Sequence, residues 1–382
     1  MQDFRESLIT RAKTFIIKIG SGVIAGEDGL DLQIIDQLVE EVARETEKGR
    51  KAIIVTSGAI ASGKHRLGIT SKLSSMPEKQ AAAAIGQGRL MRVYSTTFGK
   101  HGKFVGQMLL TASDLTENRK RYLNIRHTIL TLLEWNVIPI INENDTVAVD
   151  EIKFGDNDNL AAMIAQLVHV DLVINLTSID GLYTQNPNKS DKALLIPTIR
   201  GLGNDEEYVA TDETSDVGTG GMRSKIIAAR KVVTSGIPYI IANGKRQGII
   251  HDIFAGKPVG TLFQPLKEHL NCRKSWIAFS LKPSGKVVVD DGAAQAILQK
   301  GKSLLPSGVV GLEGLFHVGD AVLCVDKRGK TIGRGLVSYG SEEVKRIMGL
   351  KTSQIEEVLG HKDYDEIIHR DNMVTAAEAS EL

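Results

Sequence analysis

A run of glycines that leads into a helical pattern is the strongest chemical feature of the sequence. Gly218-Thr219-Gly220-Gly221 is followed at once by Met222-Arg223-Ser224-Lys225. Glycines let backbone N–H groups approach an anion closely, and the positive end of a helix dipole adds to the attraction. The pattern predicts a phosphate site, with a flexible glycine-rich loop as the alternative. Neither a Walker A motif nor a GxGxxG motif is present in the sequence.

A lysine inside an apolar run is the second feature. Lys18 interrupts Phe15-Ile16-Ile17-Lys18-Ile19 and is followed by Gly20-Ser21-Gly22. A lysine in a strand that is buried on both faces costs free energy unless it is paired or functional. The glycines after it suit the close approach of a phosphate. The alternative is a lysine near the strand end whose ammonium group reaches water.

Three polar clusters lie next to apolar runs. Thr56-Ser57-Gly58-Ala59 and Asn142-Glu143-Asn144-Asp145 end two of these runs, and Gly155-Asp156-Asn157-Asp158-Asn159 precedes a helical pattern. Open α/β sheets bind ligands at the carboxyl ends of their strands. Carboxylates there could orient lysines or hold Mg²⁺, and amides could bind a small polar substrate. One Asp or Asn of the third cluster is expected simply as a helix N-cap.

Alternating strand and helix patterns must position these residues. The apolar runs that predict strands, each nearly continuous as in strands buried on both faces, are residues 14–20, 51–58, 137–145, 171–178 and 239–244. Between them, apolar residues recur at helical spacing from Leu32 to Val42, from Leu160 to Val168 and from Met222 to Val233. The alternation predicts an α/β fold with a mostly parallel sheet covered by helices on both faces.

The pattern changes after Pro265. Residues 285–292, 317–330 and 331–340 predict short strands separated by glycine-rich turns, with a brief helix over 293–299. We therefore predict a domain boundary between Pro265 and Pro283. The predicted organisation is an α/β domain over 1–265, a linker over 266–282, a small mostly-β domain over 283–361 and a tail over 362–382.

Composition and charge exclude several classes of protein. The 382 residues favour two or three domains, and 42% hydrophobic with 24% charged residues exclude disorder, collagen and coiled coil. Lys and Arg number 47 against 46 Asp and Glu, so net charge attracts neither nucleic acid nor anionic membrane. No apolar run approaches the roughly 20 residues of a membrane span, and no signal peptide is evident. Two cysteines, Cys272 and Cys324, cannot make a disulfide framework. A cytoplasmic protein is predicted.

Together these motifs resemble those of the glutamate 5-kinases in the amino acid kinase superfamily. The segments that carry the resemblance occur in the family's order and are residues 18–21, 55–60, 106–111, 141–145, 155–159 and 218–222. The resemblance extends over about residues 14–265. The paired Asn-Glu-Asn-Asp and Gly-Asp-Asn-Asp-Asn signatures separate the chain from the sibling acetylglutamate, aspartate and uridylate kinases. Residues 283–361 resemble a PUA domain, which many bacterial members carry at this end.

The resemblance implies ATP-dependent phosphorylation of the γ-carboxylate of L-glutamate, the first step of proline synthesis, with Mg²⁺ expected beside ATP. It implies that Lys18 and Lys225 contact the transferred phosphoryl group and that Asp158 orients them. The residues that would hold glutamate are Ser57, Asp145 and Asn157. The residues that would bind ATP are Lys18, Thr177, Ser178, Thr219, Gly220, Gly221, Met222, Arg223, Ser224 and Lys225. Ser178 departs from the family pattern, because many members have Asp there.

The family also implies partners for the chain. Homo-oligomers, feedback inhibition by proline at the glutamate site, and a reductase that consumes the acyl phosphate product are expected. RNA binding through the PUA domain is a rival function, but basic residues there are scattered and no aromatic stacking cluster accompanies them. RNA and membranes are therefore not expected partners. A sibling kinase for another amino acid carboxylate is the nearer alternative. The acidic stretch 205–216 predicts either a lid or a solvated loop.

Overall fold

The computed structural model describes most of the chain, and its contacts divide it into two compact units, Met1–Leu266 and Lys267–Leu382. The residues outside the description are 1, 27–28, 117–118, 148–156, 186, 188–189, 191, 201–220, 266–276, 278–282, 377 and 379–382. The predicted lid or loop over 205–216 and Cys272 lie among them. Cys324 is described, and it is buried as a free thiol.

A mostly parallel sheet forms the centre of the first unit. Its strands are β1 Thr14–Ile19, β2 Lys51–Thr56, β3 Val105–Leu110, β4 Ile138–Glu143, β5 Leu172–Thr177, β6 Thr198–Arg200, β7 Tyr239–Asn243 and β8 Thr261–Gln264. They lie in the order β3-β4-β2-β1-β5-β7-β8-β6. Within the described residues every pairing is parallel except that of β7 with β8. The predicted strands and the mostly parallel arrangement are confirmed.

Helices cover both faces of this sheet. They are α1 Gln2–Thr10, α2 Ser21–Ile24, α3 Leu32–Glu47, α4 Ala59–Arg66, α5 Met76–Gly99, α6 Ala112–Thr116, α7 Arg119–Glu134, α8 Asn157–Val168, α9 Met222–Thr234 and α10 Ile249–Phe254. Successive strand residues face different cores. On β1, Ile17 and Ile19 pack with α3, α5 and α10, whereas Ile16 packs with α7, α8 and α9. Because both faces are covered, the strands read as continuous apolar runs.

Two glycines bring α4 and α5 into backbone contact. A Cβ on Gly63 would lie 1.8 Å from the carbonyl oxygen of Ala82. A Cβ on Gly86 would lie 1.8 Å from the carbonyl oxygen of Ala59. No side chain fits at either position without separating the helices. The close crossing fixes the middle of α5 against the first turn of α4.

A buried arginine ties α1 to the far end of the first unit. The guanidinium of Arg5 donates from Nη1 to the carbonyl oxygen of Pro197 at 3.1 Å and from Nη2 to that of Val259. Burial lowers the pKa of Arg5 to about 10. The first helix is therefore held by two loops that come much later in the chain.

The second unit contains a smaller sheet. Its strands are β9 Gly285–Val289, β10 Val309–Gly314, β11 Ala321–Val325, β12 Thr331–Leu336 and β13 Met373–Thr375, in the order β10-β9-β11-β12-β13. Its α-helices include α11 Asp291–Lys300, α12 Ser341–Ile347 and α13 Ile355–Leu359. The sequence did not predict β10 or β13. Because β13 pairs with β12, and Ile367 and Ile368 are buried in this unit's core, the segment after residue 361 is not a separate tail.

No helix in the described ranges is both long and apolar enough to span a bilayer. The longest of them, α5, has 24 residues but includes glycines and charged side chains.

Candidate active site

The site lies where several parallel strands end. β2, β1 and β5 are neighbours in the sheet, so their carboxyl ends share one edge. The chain leaves β1 toward β2 on one side, whereas it leaves β5 toward β6, at the edge of the sheet on the other side. Such a reversal opens a crevice at the carboxyl ends of the two central strands, which is where open α/β sheets bind ligands. The predicted polar residues at the ends of β1, β2 and β5 flank this crevice.

Two buried lysines share one buried carboxylate beside the crevice. Lys18 Nζ lies 2.5 Å from Asp158 Oδ1, and Lys225 Nζ lies 3.1 Å from Asp158 Oδ2. The three residues are 3%, 7% and 0% exposed for Lys18, Lys225 and Asp158. Lys18 therefore does not extend into water, and that alternative interpretation is wrong. The trio has one more positive than negative charge, so it attracts an anion.

Three elements bring this trio together. Lys18 is on β1 and faces the same side of the sheet as Ile16, toward α8 and α9. Asp158 is in the first turn of α8, and Lys225 is in the first turn of α9. The packing of α8 on α9 closes the arrangement. Ser224 adds a third contact to Asp158, because its Oγ lies 3.0 Å from Asp158 Oδ2, and the same Oγ also bonds the carbonyl oxygen of Gly221.

The predicted nucleotide residues lie on both sides of the crevice. Gly20 follows β1, and its N–H donates to the carbonyl oxygen of Leu176 on β5 at 3.1 Å. A Cβ on Gly20 would lie 3.7 Å from Lys18 Nζ, which places the glycine turn directly beside the ammonium group. Thr177 ends β5 and is nearly buried, and Ser178 after it is exposed. Ser178 Oγ would lie 3.5 Å from a Cβ on Gly22, which places it against the glycine turn.

The start of α9 forms the other part of the predicted nucleotide site. Gly221 is its N-cap, and Met222 and Arg223 open its first turn before Ser224 and Lys225. The backbone N–H groups of such a turn attract anions. Thr219 and Gly220, which precede the helix, lie outside the described residues.

A chain of polar side chains joins the ends of β2 and β4. Asn157 Nδ2 donates to Ser57 Oγ at 3.0 Å and to Asn142 Oδ1 at 3.1 Å. Asn142 Nδ2 donates in turn to Gln87 Oε1 at 2.9 Å. Two predicted substrate residues, Ser57 and Asn157, are thereby in contact. Gln87 was not predicted, because it lies on α5, outside the polar clusters of the sequence.

Two atoms in this series of hydrogen-bonded side chains have no hydrogen-bond partner among the described residues. Gln87 Nε2 and Asn157 Oδ1 are buried and lack a partner within the described part of the chain. Unpaired buried polar atoms cost roughly 1–3 kcal/mol each, and they are found where a ligand or water completes the bonding. One atom is a donor and the other is an acceptor. The pair suits a ligand that carries both a carboxylate and an ammonium group.

Gly58 explains why Ser57 lies where it does. Gly58 has a φ of +103° and is the N-cap of α4. That left-handed conformation turns the chain sharply after β2, and a Cβ there would lie 3.1 Å from Ile24 Cδ1. The turn leaves Ser57 at the sheet edge.

Asp145 follows β4 and is partly buried. Burial raises the pKa of its carboxyl group to about 6, and no opposing cation pairs with it among the described residues. A carboxylate that is desolvated without a partner is prepared to accept a cationic group from a ligand. The contacts of Gly155 and Asp156, which belong to the third polar cluster, lie outside the described residues.

A protein-built metal site is absent from the described ranges, where no group of three or more His, Cys, Asp or Glu side chains could hold an ion. Asp158 is already engaged by two ammonium groups. The described residues therefore do not fit a metal cage.

Comparison with known proteins shows which families and which proteins the chain is similar to. The sequence matches the model of the amino acid kinase family over residues 13–243 and that of the PUA domain over residues 285–359. It is 61% identical to a glutamate 5-kinase of Syntrophus aciditrophicus, with 98% of this chain and 97% of that protein covered. It is 47% identical to a glutamate 5-kinase of Syntrophotalea carbinolica, with 97% and 99% covered.

Among solved structures, the product complex of T. acidophilum isopentenyl phosphate kinase is similar to this chain. The sequences are 16% identical, the TM-score is 0.46, and the match covers 66% of this chain and 100% of that chain.

Proposed function

The chain belongs to the amino acid kinase family, among its glutamate 5-kinases, and on that premise we propose that the trio of Lys18, Lys225 and Asp158 is its catalytic centre. The chain phosphorylates glutamate in proline biosynthesis. The observation that supports this proposal is that two buried lysines contact the same carboxylate, that of Asp158, where the parallel strands end.

Electrostatics explain how this trio could transfer a phosphoryl group. The γ-carboxylate of glutamate is ionised at neutral pH, so the nucleophile needs no general base. The reaction instead requires positive charge around the oxygens of the transferred phosphoryl group and precise positioning of the two substrates. Lys18 and Lys225 supply that charge in a buried setting, where it acts more strongly than in water. Asp158 holds both ammonium groups in place, and its single charge leaves the trio cationic.

ATP is the phosphoryl donor in this proposal. The N–H groups at the start of α9 and the glycine turn at Gly20 are suited to hold its phosphates, with Thr177 and Ser178 beside them. Mg²⁺ would be expected to accompany ATP and to offset the charge of its phosphates, and no residue is assigned to it because the described residues make no metal cage.

The hydrogen-bonded side chains from Ser57 to Gln87, together with Asp145, form the proposed glutamate site. Ser57 and Gln87 can donate to carboxylate oxygens, and Asn157 Oδ1 can accept from the ammonium group. Asp145 supplies the negative charge that the ammonium group requires. A panel of glutamate, N-acetylglutamate and aspartate with ATP tests the proposed function: rapid turnover of a substrate other than glutamate would contradict it.

Asp145→Asn is expected to raise the KM for glutamate roughly 10- to 100-fold, the range for losing a charged hydrogen bond. The KM for ATP should change little, because Asp145 is proposed to bind glutamate and not the nucleotide. Discrimination against N-acetylglutamate should weaken, since that molecule has lost the positive charge. Steady-state kinetics with both substrates measure these effects. A raised KM for ATP with a normal KM for glutamate would assign Asp145 to the nucleotide instead.

The raised pKa of Asp145 also predicts a pH dependence. Below about pH 6 the carboxyl group of the free enzyme is protonated, so it cannot pair with the ammonium group of glutamate. The KM for glutamate should therefore be low above this pH and rise roughly tenfold per pH unit below it. In Asp145→Asn this rise should disappear. A rise that persists in the variant would show that another group titrates.

We propose that the kinase function resides in residues 1–265. The catalytic and substrate residues named above all lie in the first unit, Met1–Leu266. A chain that ends at Leu266 is therefore expected to fold and to phosphorylate glutamate with a kcat within about threefold of the full chain. Circular dichroism and steady-state kinetics check both parts. A folded truncation without kinase activity would mean that the second unit contributes to the reaction.

Other expectations concern partners and location. We propose that the enzyme is a cytoplasmic homo-oligomer, that proline inhibits it, and that a reductase consumes its product. An acyl phosphate hydrolyses readily, which favours rapid consumption. Proline carries a carboxylate and a secondary ammonium group, so it fits the charges proposed for the glutamate site.

A further inference from the structure

Asn175 is a polar residue in the middle of a buried strand, and the reaction described above gives it no role. It is 0% exposed, and the other residues of β5 up to Leu176 are apolar. Its register partner on β1 is Lys18, so the two side chains stand beside each other on one face of the sheet. A buried amide is costly unless it is hydrogen-bonded. The hydrogen bonds of the Asn175 side chain therefore indicate its role.

Both protons of the Asn175 amide are used. Nδ2 donates to Asp158 Oδ1 at 2.8 Å and to the hydroxyl oxygen of Tyr239 at 2.7 Å. An ionised carboxylate can only accept, so a flipped amide would set two oxygens against each other. Tyr239 is 1% exposed, and its ring packs edge-to-face on Phe263 at 6.0 Å. The amide thus has one favourable orientation, with a fixed tyrosine behind it.

The same carboxylate oxygen contacts Lys18. Asp158 Oδ1 lies 2.5 Å from Lys18 Nζ, and Oδ2 serves Lys225 and Ser224. Asp158 could rotate about its side-chain bonds if the lysines alone held it, since ammonium groups on flexible stems adapt. The rigid amide on β5 removes that freedom. The location of Oδ1, and with it that of the Lys18 ammonium group, is therefore set by Asn175.

We propose that Asn175, held by Tyr239, is a positioning residue that acts through Asp158 to fix the two lysines for phosphoryl transfer. The inference rests on the catalytic roles proposed above for the trio. It adds residues from β5 and β7 to a centre otherwise built from β1, α8 and α9. Misplacing a catalytic group by a fraction of an ångström lowers the rate while substrate binding is preserved, so the effect should appear in kcat.

A double-mutant cycle between Asn175→Leu and Asp158→Asn tests this role. Asn175→Leu is expected to lower kcat roughly tenfold, as for other residues that orient a reactive group, and to leave the KM for glutamate within about twofold. In the Asp158→Asn background the same change should lower kcat less than about twofold, because the group it positions is gone. An equal loss in both backgrounds would overturn the proposal.

Val173→Ala is the matched control. Val173 lies two residues earlier on β5, faces the same core and is also 0% exposed. The Val173→Ala variant should lower the thermal unfolding midpoint at least as much as Asn175→Leu does, while its kcat stays within about twofold of the parent. If Val173→Ala lowered kcat as much as Asn175→Leu, loss of packing would explain both effects and the proposal would fail.

Asn175→Asp gives an independent readout if the leucine variant does not fold. The introduced carboxyl group faces Asp158, Lys18 and the Tyr239 hydroxyl, and next to Asp158 its pKa is raised. Protonated, it can still donate to Asp158 Oδ1; ionised, it competes for Lys18 and repels Asp158. The ratio of its kcat to that of the parent, at saturating glutamate, should rise as pH falls from about 9 to about 6. A flat ratio contradicts the proposal.

The outcomes separate this inference from the proposed function. If Asp158→Asn alone keeps a normal kcat, the catalytic role of the trio is wrong, and the inference fails with it. If Asp158→Asn lowers kcat while Asn175→Leu and Asn175→Asp match the parent at every pH, the trio stands and the positioning role of Asn175 is wrong.

Discussion

Lys225→Ala is expected to lower kcat by roughly 10² or more, the scale of losing a preorganised group that stabilises the transition state. The physical reason is the charge that remains. Without Lys225, the contact of Lys18 with Asp158 is a neutral ion pair, so the excess positive charge of the trio is lost. The KM for glutamate should change much less. Lys18→Ala should behave similarly, and the double variant should lose less than the product of the two if both serve the same oxygens.

Lys231→Ala is the control for this prediction. It removes the same charge from the same helix, but its ammonium group bonds Asn159 Oδ1 at the exposed surface. Its kcat should stay within about twofold of the parent. Steady-state kinetics on folded variants measure both effects. If Lys225→Ala retained the parent kcat, the residue would have no part in phosphoryl transfer.

Gly86→Ala is expected to lower the free energy of unfolding by about 3 kcal/mol, at the upper end of the range for overpacking. The added Cβ would lie 1.8 Å from the Ala59 carbonyl oxygen and 2.5 Å from the Gly63 nitrogen, so α4 and α5 must separate. Both contacts are to backbone, which cannot move aside as a side chain can. Activity should fall as well, because Gln87 is the next residue and Ser57 lies just before α4. Urea denaturation measures the first effect and kinetics the second.

Gly88→Ala provides the comparison two residues further along α5. Nothing lies within 4 Å of a Cβ built there, and its φ is not positive. Alanine also has the higher helix propensity, so this variant should gain about 0.5–1 kcal/mol. Equal stabilities for the two variants would mean that the helices shift apart at little cost, contrary to the prediction.

The sequence predicted the elements whose patterns are long and periodic. The helices around Ile35, Ile164 and Ile226 and the strands β1, β2, β4, β5 and β7 are confirmed, because their residues are buried in continuous rows. It missed β3, whose residues are mostly half-exposed at the edge of the sheet and so lack an apolar run. It also missed β6 and β13, which have three residues each and carry no periodic signal.

The proposed site shows a similar division. Lys18 and Asp158 stand out in sequence because a charge interrupts an apolar pattern or accompanies a dense polar cluster. Gln87 and Tyr239 could not be found in this way, since a glutamine on a helix and a tyrosine in a strand are ordinary residues there. Their importance comes from sequence-distant contacts: Gln87 meets Asn142, and Tyr239 meets Asn175. Asn175 does carry a signal in the sequence, because it is a polar residue in an otherwise apolar strand, but its pairing with Lys18 is evident only in the structure.

The anchoring of α1 bears on how the chain folds during its synthesis. The two carbonyl groups that hold Arg5 lie 192 and 254 residues further along the chain. The central strand β1 must likewise wait for β5, whose residues come more than 150 positions later. While the chain emerges from the ribosome, β1 can pair with β2, but its other edge and the Arg5 side chain still lack their partners. The first unit therefore cannot complete its folding until Val259 has emerged.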